Sequence, residues 1–341
     1  MRPGWTTRLS RATLAAVQHR SAPWLLTLCL GCTTAPGDAA DASTTTNPDL
    51  TTSEPATATT SDVDPTTAAE TTIDPTTGDD PTADPTTGDD STTSTTDPTG
   101  DPPAIQIPPA DAGLDYQLGG AYPPPPGVGV VSRDRNAPAA DGLYNICYVN
   151  GFQTQPDEES FWLDQHPELV LRDGDDAPVI DEDWGEMLLD TRTPASRAAL
   201  AEIVGGWIAG CGAAGYQAIE IDNLDSYARS DGLLDQDQAV AYMALLAASA
   251  HAGGMAIAQK NSTELLPRRA EMATDFVVSE ECNHYDECDD YLATYGDAVL
   301  MIEYSDADFA KGCAGYPQIS IVRRDLDLTT PGDPQYVYDA C

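Results

Sequence analysis

Polar side chains that directly follow short apolar runs are the residues of this 341-residue chain best placed for chemistry. Ala218-Ile219-Glu220-Ile221-Asp222-Asn223 sets Glu220 and Asp222 two apart, on one side of an extended segment. Gln259-Lys260-Asn261 closes the next apolar run, and Val277-Val278-Ser279-Glu280-Glu281-Cys282 the one after. Leu300-Met301-Ile302-Glu303-Tyr304 follows, and Tyr148-Val149-Asn150 supplies a fifth polar end upstream. Carboxylates gathered from several such ends suit cleavage of a glycosidic bond. One stays protonated to donate to the leaving oxygen; the other stays ionised as nucleophile, or as base for water. Burial and neighbouring like charges push two such pKa values apart. Any one of these acids is equally explained as a helix cap or an ion-pair partner, so the reading rests on the group.

Something must bring these ends to one rim, and the pattern from residue 194 onward supplies it. Ala195–Gly212 has helical apolar spacing, with Pro194 at its start and glycine at its end. Gln217–Asp222 reads as a strand and Asp237–Ala252 as a helix stopped by Gly253-Gly254. Met255–Gln259 is a strand, Thr263–Met272 a helix and Phe276–Ser279 a strand. Tyr285–Tyr295 is a helix, and Ala298–Glu303 and Gln318–Arg323 are strands. Repeated βα units of this kind predict a parallel sheet. Upstream, Tyr116–Leu118, Val128–Val131, Tyr144–Val149 and Met187–Leu189 complete nine strand candidates. An α/β fold follows, a (β/α)8 TIM-like barrel in which either 187–189 or the first candidate lies outside the closure; a doubly wound open sheet is the alternative. In such a barrel functional groups collect where strands end and βα loops begin.

Composition divides the chain into unlike parts. Residues 1–32 read as a signal peptide: Arg2, Arg8, Arg11 and Arg20 precede a short apolar run, Pro23–Leu30, too short to span a bilayer. The run ends in Cys29-Leu30-Gly31-Cys32, the form of a bacterial lipoprotein signal with Cys32 as the lipidated residue; Cys29 stands where such signals carry Leu. Residues 33–108 are rich in Thr, Asp and Pro, lack Lys and Arg, and repeat Asp74–Asp80 imperfectly at Asp84–Asp90. They read as a disordered linker that holds the third part, a domain over 109–341, away from its anchor. With 16 basic against 56 acidic residues, the chain is repelled by nucleic acid and anionic membrane surfaces. The same charge suits a cationic substrate, or serves solubility alone.

Beyond Cys29 and Cys32 six cysteines remain, Cys147, Cys211, Cys282, Cys288, Cys313 and Cys341. An even number in an exported chain predicts three disulfides. Cys282 and Cys288 are close enough to staple one loop, and a bond from Cys341 to Cys313 would tie down the C-terminus. No Gly-x-Ser-x-Gly is present, which argues against a serine hydrolase of the elbow type. His166, His251 and His284 form no i,i+4 pair, and Gly127-Val128-Gly129 lacks the third glycine of a dinucleotide fingerprint. No metal and no cofactor is expected.

The chain also resembles a known family at these residues. Tyr116-Gln117-Leu118, Ile146–Val149, Trp184–Asp190 and Gly215–Asn223 are followed in order by Lys260-Asn261, Asp275–Cys282, Tyr285–Cys288 and Val299–Tyr304. Together they are similar to the endo-α-1,4-polygalactosaminidases, glycoside hydrolase family 114, over nearly all of 115–323. The resemblance implies a TIM barrel with Asp222 and Glu280 as the catalytic pair, Asp222 as nucleophile and Glu280 as acid/base if the reaction retains configuration; the separation of the two carboxylates decides between retention and inversion. It implies that Tyr148, Glu220, Asn223, Lys260, Asn261, Glu303 and Tyr304 line the sugar subsites. Ile221 stands where the family has Pro, on a strand residue facing away from Asp222, and Glu281 fills a variable slot before Cys282. Trp162, Trp184 and Trp207 could stack on sugars or belong to the core. The expected partner is a galactosamine-containing polysaccharide, met by an exported monomer that touches membrane only through its lipid. A surface lipoprotein that binds polysaccharide without cutting it, and a glycosidase of other sugar specificity, are the alternatives.

Overall fold

The computed structural model describes residues 104–341. The expected signal peptide, the lipidation at Cys32 and nearly all of the linker lie outside the described residues. Among the described residues eleven strands form in chain order. β1 is Gly113–Gln117, β2 Val128–Asp134 and β3 Tyr144–Asn150; β4 is Ile180–Asp181 and β5 Glu186–Met187. β6 is Ala218–Asp222, β7 Ala256–Lys260, β8 Phe276–Glu280, β9 Val299–Glu303, β10 Ser320–Arg324 and β11 Tyr338–Ala340. The large sheet runs β1-β2-β3-β6-β7-β8-β9-β10-β11, parallel throughout except for the antiparallel β11. β4 and β5 pair only with each other, as an antiparallel hairpin. The stretch near 187–189 is thus the candidate outside the barrel, and the first strand is inside it.

Both faces of these strands are covered, which is why they read as near-continuous apolar runs. The inward-facing set includes Leu114, Val130, Ile146, Ala218, Ala256, Ala258, Val278 and Ile302, packed as one cluster. Alternate residues of the same strands, such as Val149, Ile219, Ile221 and Ile257, pack outward against the helices. Each such Val, Leu or Ile contributes about 1.5–3 kcal/mol when fully buried. Ile221 is one of the outward residues, and its Cγ2 occupies the space a Cβ on Gly151 would need, so the chain after β3 requires glycine there.

The barrel is not closed by backbone ladder among the described residues, because β1 and β10 do not pair. Side chains close it instead. Ser320 Oγ accepts from Ala112 N at 3.1 Å, and Arg324 lies 3.4 Å from Asp115, both fully buried. Arg324 also donates to the carbonyls of Val337 (2.9 Å) and Thr329 (2.8 Å), which draws the C-terminal segment over the seam.

The helices are α1 Glu159–Gln165, α2 Pro194–Ala213, α3 Gln236–Ala252, α4 Arg269–Met272, α5 Cys282–Tyr285, α6 Cys288–Tyr295 and α7 Asp306–Gly315. Thr193 caps α2 by accepting from Ser196 N, with Pro194 in the first turn where its missing N–H costs nothing. Asp235 caps α3 in the same way through Gln238 N. Two expected helices are broken. Thr263–Arg268 is 3-10 because Pro267 cannot join an α ladder, and only α4 is α-helical. The 285–295 helix starts at Cys288 instead, separated from α5 by Asp286 at φ +58°.

The six cysteines among the described residues all pair: Cys147 with Cys211, Cys282 with Cys288 and Cys313 with Cys341. Trp162 is fully buried and Trp207 lies partly buried under the Arg135 guanidinium, so both belong to the core. Trp184, in the β4–β5 turn, is 64% exposed.

Candidate active site

Asp222, Lys260 and Glu280 are the last residues of β6, β7 and β8, three neighbours in the sheet. Each falls on the inward-facing alternation, two residues beyond Glu220, Ala258 and Val278. Tyr148 near the end of β3 and Tyr304 just after β9 extend the arc on either side. The backbone turns sharply after each of the three central residues: Asn223, Asn261 and Glu281 have φ of +62°, +46° and +55°. Left-handed conformations cost a non-glycine residue about 1–3 kcal/mol and concentrate at functional sites. Here they swing the chain away so that the strand-end side chains stay at the opening.

Lys260 is the hub. Its Nζ is 3.1 Å from Asp222 Oδ1, 3.3 Å from Glu280 Oε2 and 3.2 Å from Glu220 Oε1. It also donates to Tyr116 Oη at 3.1 Å. The side chain is nearly buried, and burial alone would lower its pKa; Asp222, Glu280 and Glu220 outweigh that and hold it well above the ordinary lysine value. Two contacts laid end to end limit the separation of the facing Asp222 and Glu280 oxygens to about 6.4 Å. That lies below the roughly 6.5–9.5 Å at which inverting glycosidases hold their carboxyl groups.

The two carboxylates differ in surroundings. Asp222 Oδ2 accepts from Tyr148 Oη at 2.7 Å. Burial would raise its pKa, but Lys260, the Tyr148 hydroxyl and the Asn223 backbone N–H together hold it below the ordinary aspartate range. Glu280 is hydrogen-bonded by Tyr304 Oη on one oxygen and by Asn261 Nδ2 at 3.3 Å on the other. Asn261 Oδ1 in turn accepts from Glu280 N at 2.8 Å, so one amide orients both backbone and side chain. The side chains of Asp222 and Glu280 keep 22% and 25% exposure, enough to be met from outside.

Two of the residues expected to line the sugar subsites are fully buried. Glu220 is fully buried one layer down, its oxygens taken by Tyr116 Oη (2.6 Å), Ser132 Oγ (2.7 Å) and Lys260. Burial raises its pKa most, against Lys260. It holds the hub from below. Glu303 shares the outward alternation of Val299 and Met301, is fully buried, and accepts from Asn283 N and Nδ2 at 3.0 Å beneath α5. Tyr148, Asn223, Lys260, Asn261 and Tyr304 do gather at the opening.

Glu186, on the separate hairpin, joins the site without having been anticipated. Its Oε2 accepts from Asn150 Nδ2 at 2.9 Å and from Asn223 Nδ2 at 3.4 Å. It lies within the Trp184–Asp190 segment, but no apolar strand of the barrel precedes it, so a search of strand ends passes over it. Among the described residues one grouping of cysteine and acid side chains is tight enough for a cation, Cys282, Cys288 and Glu303. Its sulfurs are joined to each other, which leaves one carboxylate and no ligand set.

The chain resembles known proteins in sequence and in fold. Residues 94–341 match the Glycoside-hydrolase family GH114. A comparison with curated proteins returns no match. The structure of Aspergillus fumigatus Ega3 in complex with galactosamine is similar at 22% identity and a TM-score of 0.55, covering 70% of this chain and 98% of that one. A variant of the glycoside hydrolase domain of PelA from Pseudomonas aeruginosa gives 16% identity and a TM-score of 0.48, covering 66% and 97%. The likeness to Ega3 bears on the barrel, and the sequence match on the family. The chain belongs to glycoside hydrolase family GH114, and it is a glycoside hydrolase.

Proposed function

We propose that this protein is an exported hydrolase of α-1,4-linked galactosamine polymers, acting with retention through Asp222 as nucleophile and Glu280 as acid/base. The observation that carries the reading is Lys260 Nζ within 3.3 Å of both carboxylates, which fixes them close together with one held ionised. Asp222 attacks the anomeric carbon while Glu280 gives its proton to the leaving oxygen. A covalent glycosyl-enzyme forms, and Glu280, now ionised, takes a proton from the water that releases it. Tyr148 and Lys260 neutralise and orient the nucleophile; Tyr304 and Asn261 orient the acid.

The substrate class is supported by the family, by a similar fold solved with galactosamine, and by the acid excess of 56 to 16, which suits a polymer bearing free ammonium groups. Export is supported by three formed disulfides, which belong to oxidising compartments. The anchoring role of Cys32 is part of the proposal and is read by mass spectrometry of the mature N-terminus. Proton NMR of the first products from the α-linked polymer tests the stereochemistry: α-anomers appear first if the reaction retains configuration. β-Anomers appearing first would overturn the assignment of Asp222 as nucleophile.

A further inference from the structure

Glu186 is a half-buried carboxylate beside the nucleophile, with no use in the mechanism above. One oxygen takes the side-chain amides of Asn150 and Asn223, and the second of these follows Asp222 directly. No described residue donates a hydrogen bond to its other oxygen, and no described Lys, Arg or His forms an ion pair with it. Arg229, the cation whose charge acts on it, is spent on Asp181 at 2.7 Å and Asp225 at 2.9 Å. Burial chiefly, then Asp222 and Asp181, against Asn150 and Arg229, push the Glu186 carboxyl up to about 7. A carboxylate held this way lacks a cation and would gain one from a ligand.

The chemistry of the proposed substrate says where that cation would be. A 2-amino sugar carries its nitrogen on the carbon next to the anomeric carbon. A sugar whose anomeric carbon faces Asp222 therefore has its nitrogen within reach of the groups flanking Asp222. In galactosamine that nitrogen is an ammonium; in the N-acetylated sugar it is a neutral, bulkier amide. We propose that Glu186 binds the ammonium of the sugar seated against Asp222 and so selects unacetylated residues for cleavage. This inference rests on the galactosamine-polymer reading. Glu186 is then a specificity-determining residue, and the β4–β5 hairpin is the element that delivers it.

The test is a single digestion of a partially N-acetylated α-1,4-galactosamine polymer by wild type and Glu186→Gln. Mass spectrometry reads whether the sugar at each new reducing end is acetylated. Gln keeps an acceptor for Asn150 and Asn223 but removes the charge. Wild type should favour unacetylated ends about tenfold or more, the scale of one hydrogen bond to a charged group. Glu186→Gln should yield ends in the polymer's own ratio, with Glu186→Asp in between. A variant that keeps the wild-type bias, or loses yield with the bias intact, overturns the inference and leaves the substrate class standing. A wild type that cuts no such polymer overturns both. Should Glu186→Gln release too little product, melting with monosaccharides decides. Galactosamine should raise the wild-type melting temperature more than N-acetylgalactosamine, and that difference should vanish in the variant; its persistence sinks the proposal.

Discussion

Lys260 is the residue whose loss the site would feel most. It is the cation shared by Asp222, Glu280 and the buried Glu220, so Lys260→Met leaves three carboxylates facing one another. Breaking a buried pair of this kind costs about 3–5 kcal/mol, which a melting curve reads directly. The same change removes the main counterweight to burial at Asp222, whose pKa must rise. The acidic limb of kcat against pH should therefore move to higher pH in the variant; an unmoved limb would show that Asp222 is not held by Lys260. Glu186 has the opposite sign. Its folded-state carboxyl, raised to about 7 from 4.5, keeps a proton that the unfolded chain has already lost, facing Asp222, Asp181 and Arg229. The folded state binds more protons in that window, so stability is gained as pH falls through 7. Between about pH 8 and pH 6, the wild-type melting temperature should rise relative to that of Glu186→Gln, which has no such group. Parallel curves would refute the raised value.

Among the elements, β3, β6, β7 and β8 carry the proposed catalytic residues and their partners, and the disulfides brace them unequally. Cys147–Cys211 ties β3, beside Tyr148, to α2 and closes a separation of 64 residues, whereas Cys282–Cys288 closes one of 6 just past Glu280. Loop-closure entropy makes the longer link worth about 2 kcal/mol more. Replacing Cys147 and Cys211 with alanine should lower the melting temperature more. Replacing Cys282 and Cys288 should lower kcat more, because α5 covers the turn after Glu280. The reverse order in both readouts would contradict this. The strands were legible in the sequence because burial on both faces writes them as apolar runs ending in a polar residue. The alternation along β9 separates Tyr304, inward with Ile302, from Glu303, outward with Met301, although both had been expected at the subsites. Depth was not legible: Glu220 and Asp222 share a face, yet only contacts from β1 and β2 show that Glu220 lies a layer below. Nor was Glu186, since its two-residue strand has no periodicity and reaches the site only through Asn150 and Asn223. The broken helices followed local chemistry, Pro267 in one and the left-handed Asp286 in the other.

At the scale of the whole molecule, the proposed substrate sets a formal charge of −40 against a polymer bearing ammonium groups. Attraction between exposed charges is screened over about 8–10 Å at physiological salt. Raising the ionic strength from about 0.05 to 0.5 M should therefore raise KM for the unacetylated polymer several-fold and leave kcat nearly unchanged. A KM indifferent to salt would mean that the acidity serves solubility rather than substrate capture. The barrel closes through Arg324, Asp115 and Ser320 rather than a continuous ladder, so the rim residues on β6, β7 and β8 lie far in the sheet order from its seam. Lys260 and the layer beneath it hold them together. The measurement that bears most directly on this account compares the wild type with Asp222→Asn and Glu280→Gln on α-1,4-linked galactosamine polymer, with released oligosaccharides quantified by mass spectrometry. Oligomers are expected from the wild type, with a loss of at least about a thousandfold in each variant, the two proteins melting close to the wild type. Oligomers from either variant at near wild-type rate, or a wild type that binds the polymer and releases none, would contradict it.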